Sequence, residues 1–265
     1  MPIIELNNIH KQFGSHVVLD GVTLRVDEGK CLVIIGASGS GKSVMLKHMV
    51  VLLKPDEGEV FFKGERIDHL PERQLIPIRR RFGFLFQMGA LFDSGTVFDN
   101  IAFPLIEHTK KPPREIRAIV MEKLELVGLA ETVNKMPAEL SGGQKKRVAL
   151  ARAIAMDPEV ILYDEPTTGL DPIRSDVINE LIIKLQRQLK VTSIVVTHDM
   201  QSAFKIADRI VMLYDGKLVF DGTAKEIQAS QEPIVQHFVL GEASDEELAA
   251  VRAPAKQNGD ESPSI

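Results

Sequence analysis

The run Gly36-Ala37-Ser38-Gly39-Ser40-Gly41-Lys42-Ser43 has the glycine spacing of a phosphate-binding loop. Its glycines let successive backbone N–H groups turn toward phosphate oxygens. A helix opening at its end adds positive potential, Lys42 brings a point charge, and the Ser43 hydroxyl can ligate Mg²⁺. A second string, Val160-Ile161-Leu162-Tyr163-Asp164-Glu165, ends an apolar run in two adjacent acids. Charges emerging from a buried strand are costly unless paired or metal-bound. Asp164 is therefore expected to hold Mg²⁺ through water, and Glu165 to orient or deprotonate an attacking water. Leu140-Ser141-Gly142-Gly143-Gln144 precedes a helical period, and its hydroxyl and glycines make a second anion-binding helix start. Gln87 and His198 each close an apolar run. Taken singly, either is usually a surface or turn residue.

These residues need elements to position them. Apolar, β-branched runs of strand length recur at 31–35, 82–86, 160–163, 193–196 and 210–213, with helical periods at 44–52, 115–127, 144–155 and 173–189. Near-continuous apolar strands separated by helices predict a parallel sheet covered on both faces, so the class is α/β. Gly36, Gln87, Asp164 and His198 then stand just beyond the carboxyl ends of strands, where open α/β sheets bind ligands, and are expected to converge on one crevice. The segments 3–6, 17–19, 22–26 and 58–62 read as short strands of a small antiparallel flank.

At 265 residues the chain can bury a full core without staples. Cys31, the single cysteine, sits in an apolar run and is read as a buried hydrophobe in a reducing compartment. No run approaches the roughly 18 uncharged apolar residues of a membrane span, and the start shows no secretory signal pattern. Of the net charge of −5, residues 241–265 contribute −4. The remaining body is nearly neutral and lacks a basic stripe, which disfavours nucleic acid as a partner.

Taken in order, the phosphate loop, Ser141 to Gln144, Asp164-Glu165, Gly169-Leu170-Asp171 and His198 resemble an ATP-binding cassette (ABC) ATPase over about residues 3–240. The resemblance implies a P-loop NTPase core with a mainly parallel sheet, an antiparallel β flank and an inserted helical subdomain near 88–155. It implies ATP on Gly36, Ala37, Ser38, Gly39, Ser40, Gly41, Lys42, Ser43 and Val44, with Mg²⁺ near Ser43, Gln87 and Asp164. Ser141, Gly142, Gly143 and Gln144 correspond to the family signature, which contacts the γ-phosphate on a second copy, so a head-to-tail homodimer with two shared sites is implied. Gln87 matches the residue linking the metal to a transmembrane partner, Asp171 the residue coupling the two sites, and His198 the γ-phosphate sensor, with Glu165 as the catalytic base. Phe13 falls where the family places an adenine-stacking aromatic; a core Phe is the alternative.

The stretches Leu85 to Ser94, Thr96 to Asn100, Ala102 to Leu105, Tyr163 to Ile173 and Ser175 to Ile178 are similar to ATPase subunits of Mla-type, MCE-protein lipid transporters of bacterial envelopes. That resemblance implies a permease docked near Gln87 to Pro104 at the cytoplasmic face of the inner membrane. It also implies an MCE-type substrate-binding partner and a small regulatory subunit. An importer ATPase for amino acids or another small solute shares every catalytic residue and is the alternative. A soluble ABC protein predicts a coiled-coil insertion or two cassettes, and a P-loop kinase or GTPase leaves Ser141 to Gln144 unexplained. Residues 241–265 read as an acidic, partly disordered tail, with Val235 to Gly241 suited to docking.

Overall fold

A computed structural model describes residues 1–242. Its centre is a six-stranded sheet built from β3 (Cys31–Ile35), β6 (Phe82–Leu85), β7 (Val160–Asp164), β8 (Thr192–Val196), β9 (Arg209–Tyr214) and β10 (Lys217–Gly222). The spatial order is β10-β9-β3-β8-β7-β6, with parallel pairing from β9 to β6 and β10 antiparallel at one edge. All five predicted core strands are present. β6 ends one residue early at Leu85, and Phe86 instead lays its ring over Phe84 at 4.2 Å.

Side chains alternate between two cores. Cys31, Val33, Ile35, Ile161, Tyr163 and Val195 face one, while Leu32, Ile34, Leu162, Ile194 and Val196 face the other. Burial on both faces explains why these strands read as unbroken apolar runs. One face is covered by α1 (Lys42–Met49) and by a four-stranded antiparallel sheet of β1 (Pro2–Phe13), β2 (His16–Asp27), β4 (Glu57–Phe62) and β5 (Glu65–Arg66). The short α2 (Glu72–Arg79) follows β5.

The flank departs from expectation in one respect: segments 17–19 and 22–26 form a single strand. Register passes from Lys11 opposite Leu19 to Ile9 opposite Val22, so β2 carries one extra residue there, and Gly21 takes φ +73°. Such a bulge moves the buried set from Leu19 to Val22, Leu24 and Val26. Broken alternation in the sequence looks like two strands.

The opposite face carries α3 (Val97–His108), α4 (Pro113–Leu126), α5 (Gly142–Ala153), α6 (Pro172–Leu189), α7 (Met200–Ile206), α8 (Ala224–Gln228) and α9 (Pro233–Leu240). α3, α4 and α5 lie between β6 and β7 in the chain. Thr96 and Asp99 form a reciprocal cap at the start of α3. α9 closes on Gly241, and Val235 is buried in the chain's own core. The tail reading for 243–265 lies outside the described residues.

Candidate functional site

β3 delivers the chain into Gly36 and α1 receives it at Lys42. Two glycines between them are dictated by space. A Cβ on Gly36 would stand 2.3 Å from the Leu213 carbonyl oxygen, and one on Gly41 would stand 2.9 Å from the Val18 carbonyl oxygen and side chain. Gly41, at φ +97°, is the residue before the helix. Inside the loop, Lys42 Nζ donates to the carbonyls of Gly36 at 2.9 Å and Ala37 at 2.8 Å. Burial pulls the Lys42 ammonium below its ordinary range, against the opposing pull of Glu165 and Asp164. The Ser40 hydroxyl oxygen is shielded from solvent and has no hydrogen-bond partner among the described residues, as suits a loop built to receive an anion's oxygens. Val44, half-buried, packs toward the core.

The second acid pair meets this loop. Ser43 Oγ donates to Asp164 Oδ1 at 2.7 Å. This donor set is all oxygen, which suits Mg²⁺ held by one or two protein oxygens beside phosphate oxygens. Among the described residues no cluster of three His, Cys, Asp or Glu could hold a metal without such help.

Glu165 is buried and stands at φ +50°, a conformation that costs a non-glycine residue and persists only when its surroundings enforce it. Its N–H donates to the Val196 carbonyl at 2.9 Å, and its own carbonyl accepts from Lys146 Nζ at 3.1 Å. Its Oε2 accepts from Thr168 Oγ1 at 3.1 Å and lies 2.9 Å from His198 Nδ1. His198 itself is largely exposed. Lys42, Ser43, Asp164, Glu165 and His198 are thus brought together; of the four strand-end residues, Gly36, Asp164 and His198 belong to this group, and Gln87 makes no hydrogen bond to it among the described residues. Asp164 is the last residue of β7, and His198 stands two residues past β8.

The other predicted residues make no hydrogen bond to this group among the described residues. Gln87 is exposed in the loop after β6, with no hydrogen bond to Ser43, Asp164 or Glu165 among the described residues. Phe13 is half-exposed at the end of β1 with Lys11 Nζ 5.5 Å from its ring centre, so the structure does not place it in the core. Ser141 caps α5 reciprocally with Gln144: Gln144 Oε1 accepts from the Ser141 N–H at 2.9 Å, and Ser141 Oγ accepts from the Gln144 N–H at 3.4 Å. Asp171 caps α6, accepting from the Arg174 N–H at 3.0 Å. These two helix starts are neighbours, since a Cβ on Gly143 would lie 3.5 Å from Arg174 Cδ. Lys146 and Thr168 contact Glu165 without any sequence signal: Lys145-Lys146-Arg147 looks like a solvated basic run.

The geometry has close counterparts. The family model described as "ABC transporter" matches residues 19–168. The chain is 46% identical over 241 residues, 91% of both chains, to the intermembrane phospholipid transport system ATP-binding protein MlaF of Haemophilus influenzae. It is 45% identical to a probable ribonucleotide transport ATP-binding protein of Mycobacterium bovis, over 90% of this chain but 66% of that protein's length. Among solved structures, a dimeric post-hydrolysis state of the ATP-binding cassette MJ0796 bound to ADP and Pi superposes with a TM-score of 0.77 at 37% identity, covering 83% of this chain and 98% of that one. The likeness extends far beyond the phosphate loop, through both acids and across nearly the whole described length. On that extent the chain belongs to the ABC transporter family, as one of its ATP-binding subunits.

Proposed function

We propose that the chain is the ATP-hydrolysing subunit of a transporter that moves phospholipid across a bacterial cell envelope, working as a homodimer beneath a membrane permease. The observation that carries the substrate class is the 46% identity, over 91% of both chains, with a protein named for phospholipid transport. Residues 1–240 form the cassette, with 88–155 as its helical subdomain and 241–265 as its tail. ATP lies on Gly36 to Val44, with Phe13 against the adenine. Backbone N–H groups of the loop and the start of α1, with Lys42, take the β- and γ-phosphate charge. Ser43 and Asp164, assisted by Gln87, would hold Mg²⁺, which when bound would supply charge neutralisation to the nucleotide's phosphates. Glu165 takes the proton of the attacking water, and His198, at hydrogen-bond distance from that carboxylate, steadies it and senses the γ-phosphate.

One protomer places charge on only one side of the phosphoryl group. Ser141 to Gln144 make no hydrogen bond to the loop of their own chain among the described residues, and their capped helix start offers N–H groups to an anion. A second copy in head-to-tail arrangement supplies that helix start in trans, with Asp171 beside it coupling the two sites; the MJ0796 cassette structure is likewise dimeric.

The permease meets the cassette at a groove of about 490 Å³ lined by Phe86, Phe92, Phe103 and Pro104 and rimmed by Arg79 and Arg152. Phe86, Phe92 and Phe103 remain 39–45% exposed, an apolar patch suited to a short amphipathic helix. No described helix is long and apolar enough to cross a membrane. In this reading the permease holds the subunit at the cytoplasmic face, with an MCE-type protein and a small regulatory subunit completing the assembly.

A second reading, transport of a small solute, is favoured by the ribonucleotide-transport relative. Purifying the tagged chain from membranes separates the two. A copurified permease with an MCE-type protein is expected, and a permease with a soluble solute-binding protein would overturn the lipid reading.

A further inference from the structure

Lys146 is 7% exposed, and the one hydrogen bond its ammonium makes among the described residues is to the backbone carbonyl of Glu165, at 3.1 Å. Burying an ammonium is costly, and an apolar side chain of similar length would pack there more cheaply. What it touches is the strained point of the site. Glu165 sits in the left-handed region, and its peptide groups are held from two sides, by Val196 through the N–H and, through the carbonyl, by Lys146 Nζ at 3.1 Å and the Thr168 N–H at 3.3 Å. Without the Lys146 bond, the turn that aims the Glu165 carboxylate toward His198 and Thr168 keeps only the longer bond from the Thr168 N–H on its carbonyl side.

The position of Lys146 along the chain adds to this. It lies on α5, two residues past Gln144, so the helix that begins at Ser141 also carries the anchor. α5 is a rigid element whose first turn is locked by the reciprocal Ser141–Gln144 cap. A tilt or shift of its N-terminus is transmitted to Nζ directly, without a flexible loop between.

We propose that Lys146 is a positioning residue for Glu165, joining the helix start that grips the opposite protomer's nucleotide to the general base of its own protomer. This rests on the reading of Glu165 as the base. α5 is thereby the element through which a movement of that helix start reaches the carboxylate of the same protomer.

Three purified full-length variants test this by steady-state ATP hydrolysis at saturating Mg²⁺ and by thermal unfolding. Lys146→Met removes the ammonium and its hydrogen bond and keeps an unbranched stem one atom shorter. It is expected to lower kcat about tenfold or more, with KM for ATP within about twofold because the phosphate loop is untouched, and without loss of thermal stability. Lys146→Gln retains an N–H donor for the carbonyl without the charge, and is expected to restore kcat to within about threefold of the parent. Glu165→Gln tests the underlying reading separately: if it hydrolyses ATP normally, the base assignment fails. If Glu165→Gln is slow but Lys146→Met keeps parental kcat, the positioning role alone fails. Equal losses in the Met and Gln variants, or a fall in kcat matched by a fall in thermal stability, also overturn it.

Discussion

At the residue scale, Glu165 carries the sharpest expectation. Its carboxylate is buried, oriented by Thr168 and His198, and set on a strained turn that keeps it aimed. Glu165→Gln keeps the shape and removes the basicity, so turnover should fall by about 10² to 10⁴ while ATP still binds. Phosphate release measured beside equilibrium nucleotide binding checks this, and normal turnover would remove Glu165 from its role. The acid pair was legible in the sequence because two charges ending an apolar strand need a reason to be there. The partners that hold Glu165 were not. Lys146 comes from a different element, and only tertiary packing turns a residue of a basic run inward.

Helices and strands fix the next set of outcomes. The Ser141 cap satisfies an N–H at the start of α5, and Ser141→Ala should cost about 1 kcal/mol, seen as a lowered unfolding midpoint, and should also abolish ATP-driven dimerisation on a sizing column. On α1, His48 is fully buried, its Nδ1 2.7 Å from the Val44 carbonyl and its Nε2 without a partner among the described residues. Burial pulls its pKa below the ordinary value, against the Val44 hydrogen bond. The unfolded chain therefore takes up this proton first as pH falls through about 6.5, so the stability His48 contributes is present above that pH and is lost below it. His48→Gln should flatten the decline in melting temperature between pH 7 and 5; an unchanged slope would assign the decline to other groups. The five core strands and the helices α1, α4, α5 and α6 were readable from period and run length, since strands buried on both faces leave no polar gaps; α2, α3, α7, α8, α9, β5 and β10 were not. The β2 bulge was not, because one extra residue inverts the alternation that marks a strand, and α3 carries Pro104 within its helical period.

For the molecule as a whole, the aromatic groove and the nucleotide crevice are separate regions of one rigid core. Phe103→Asp should therefore leave ATP hydrolysis by the isolated subunit within about twofold while eliminating recovery of the permease in a membrane pull-down, because a charge in an apolar contact leaves an unpaired desolvated group. Recovery of the permease at the parental level would place its contact elsewhere. That the strand ends carrying Gly36, Asp164 and His198 share one edge of the sheet was readable from the sequence because parallel order forces it. The groove was not, since its rings come from β6, its loop and α3, and the sequence does not show which of them stay uncovered.

The strand that leads into the phosphate loop has no neighbour nearby in the chain. Cys31 pairs with Ser193, and Leu32 with Arg209; the carbonyl that packs against Gly36 belongs to Leu213. During synthesis the whole glycine motif leaves the ribosome long before the two strands that flank β3 exist, and contacts this distant in sequence form slowly. A fragment ending at residue 190 carries every letter of the motif, yet it should not retain nucleotide on a filter. The last strands to be translated make the first motif work.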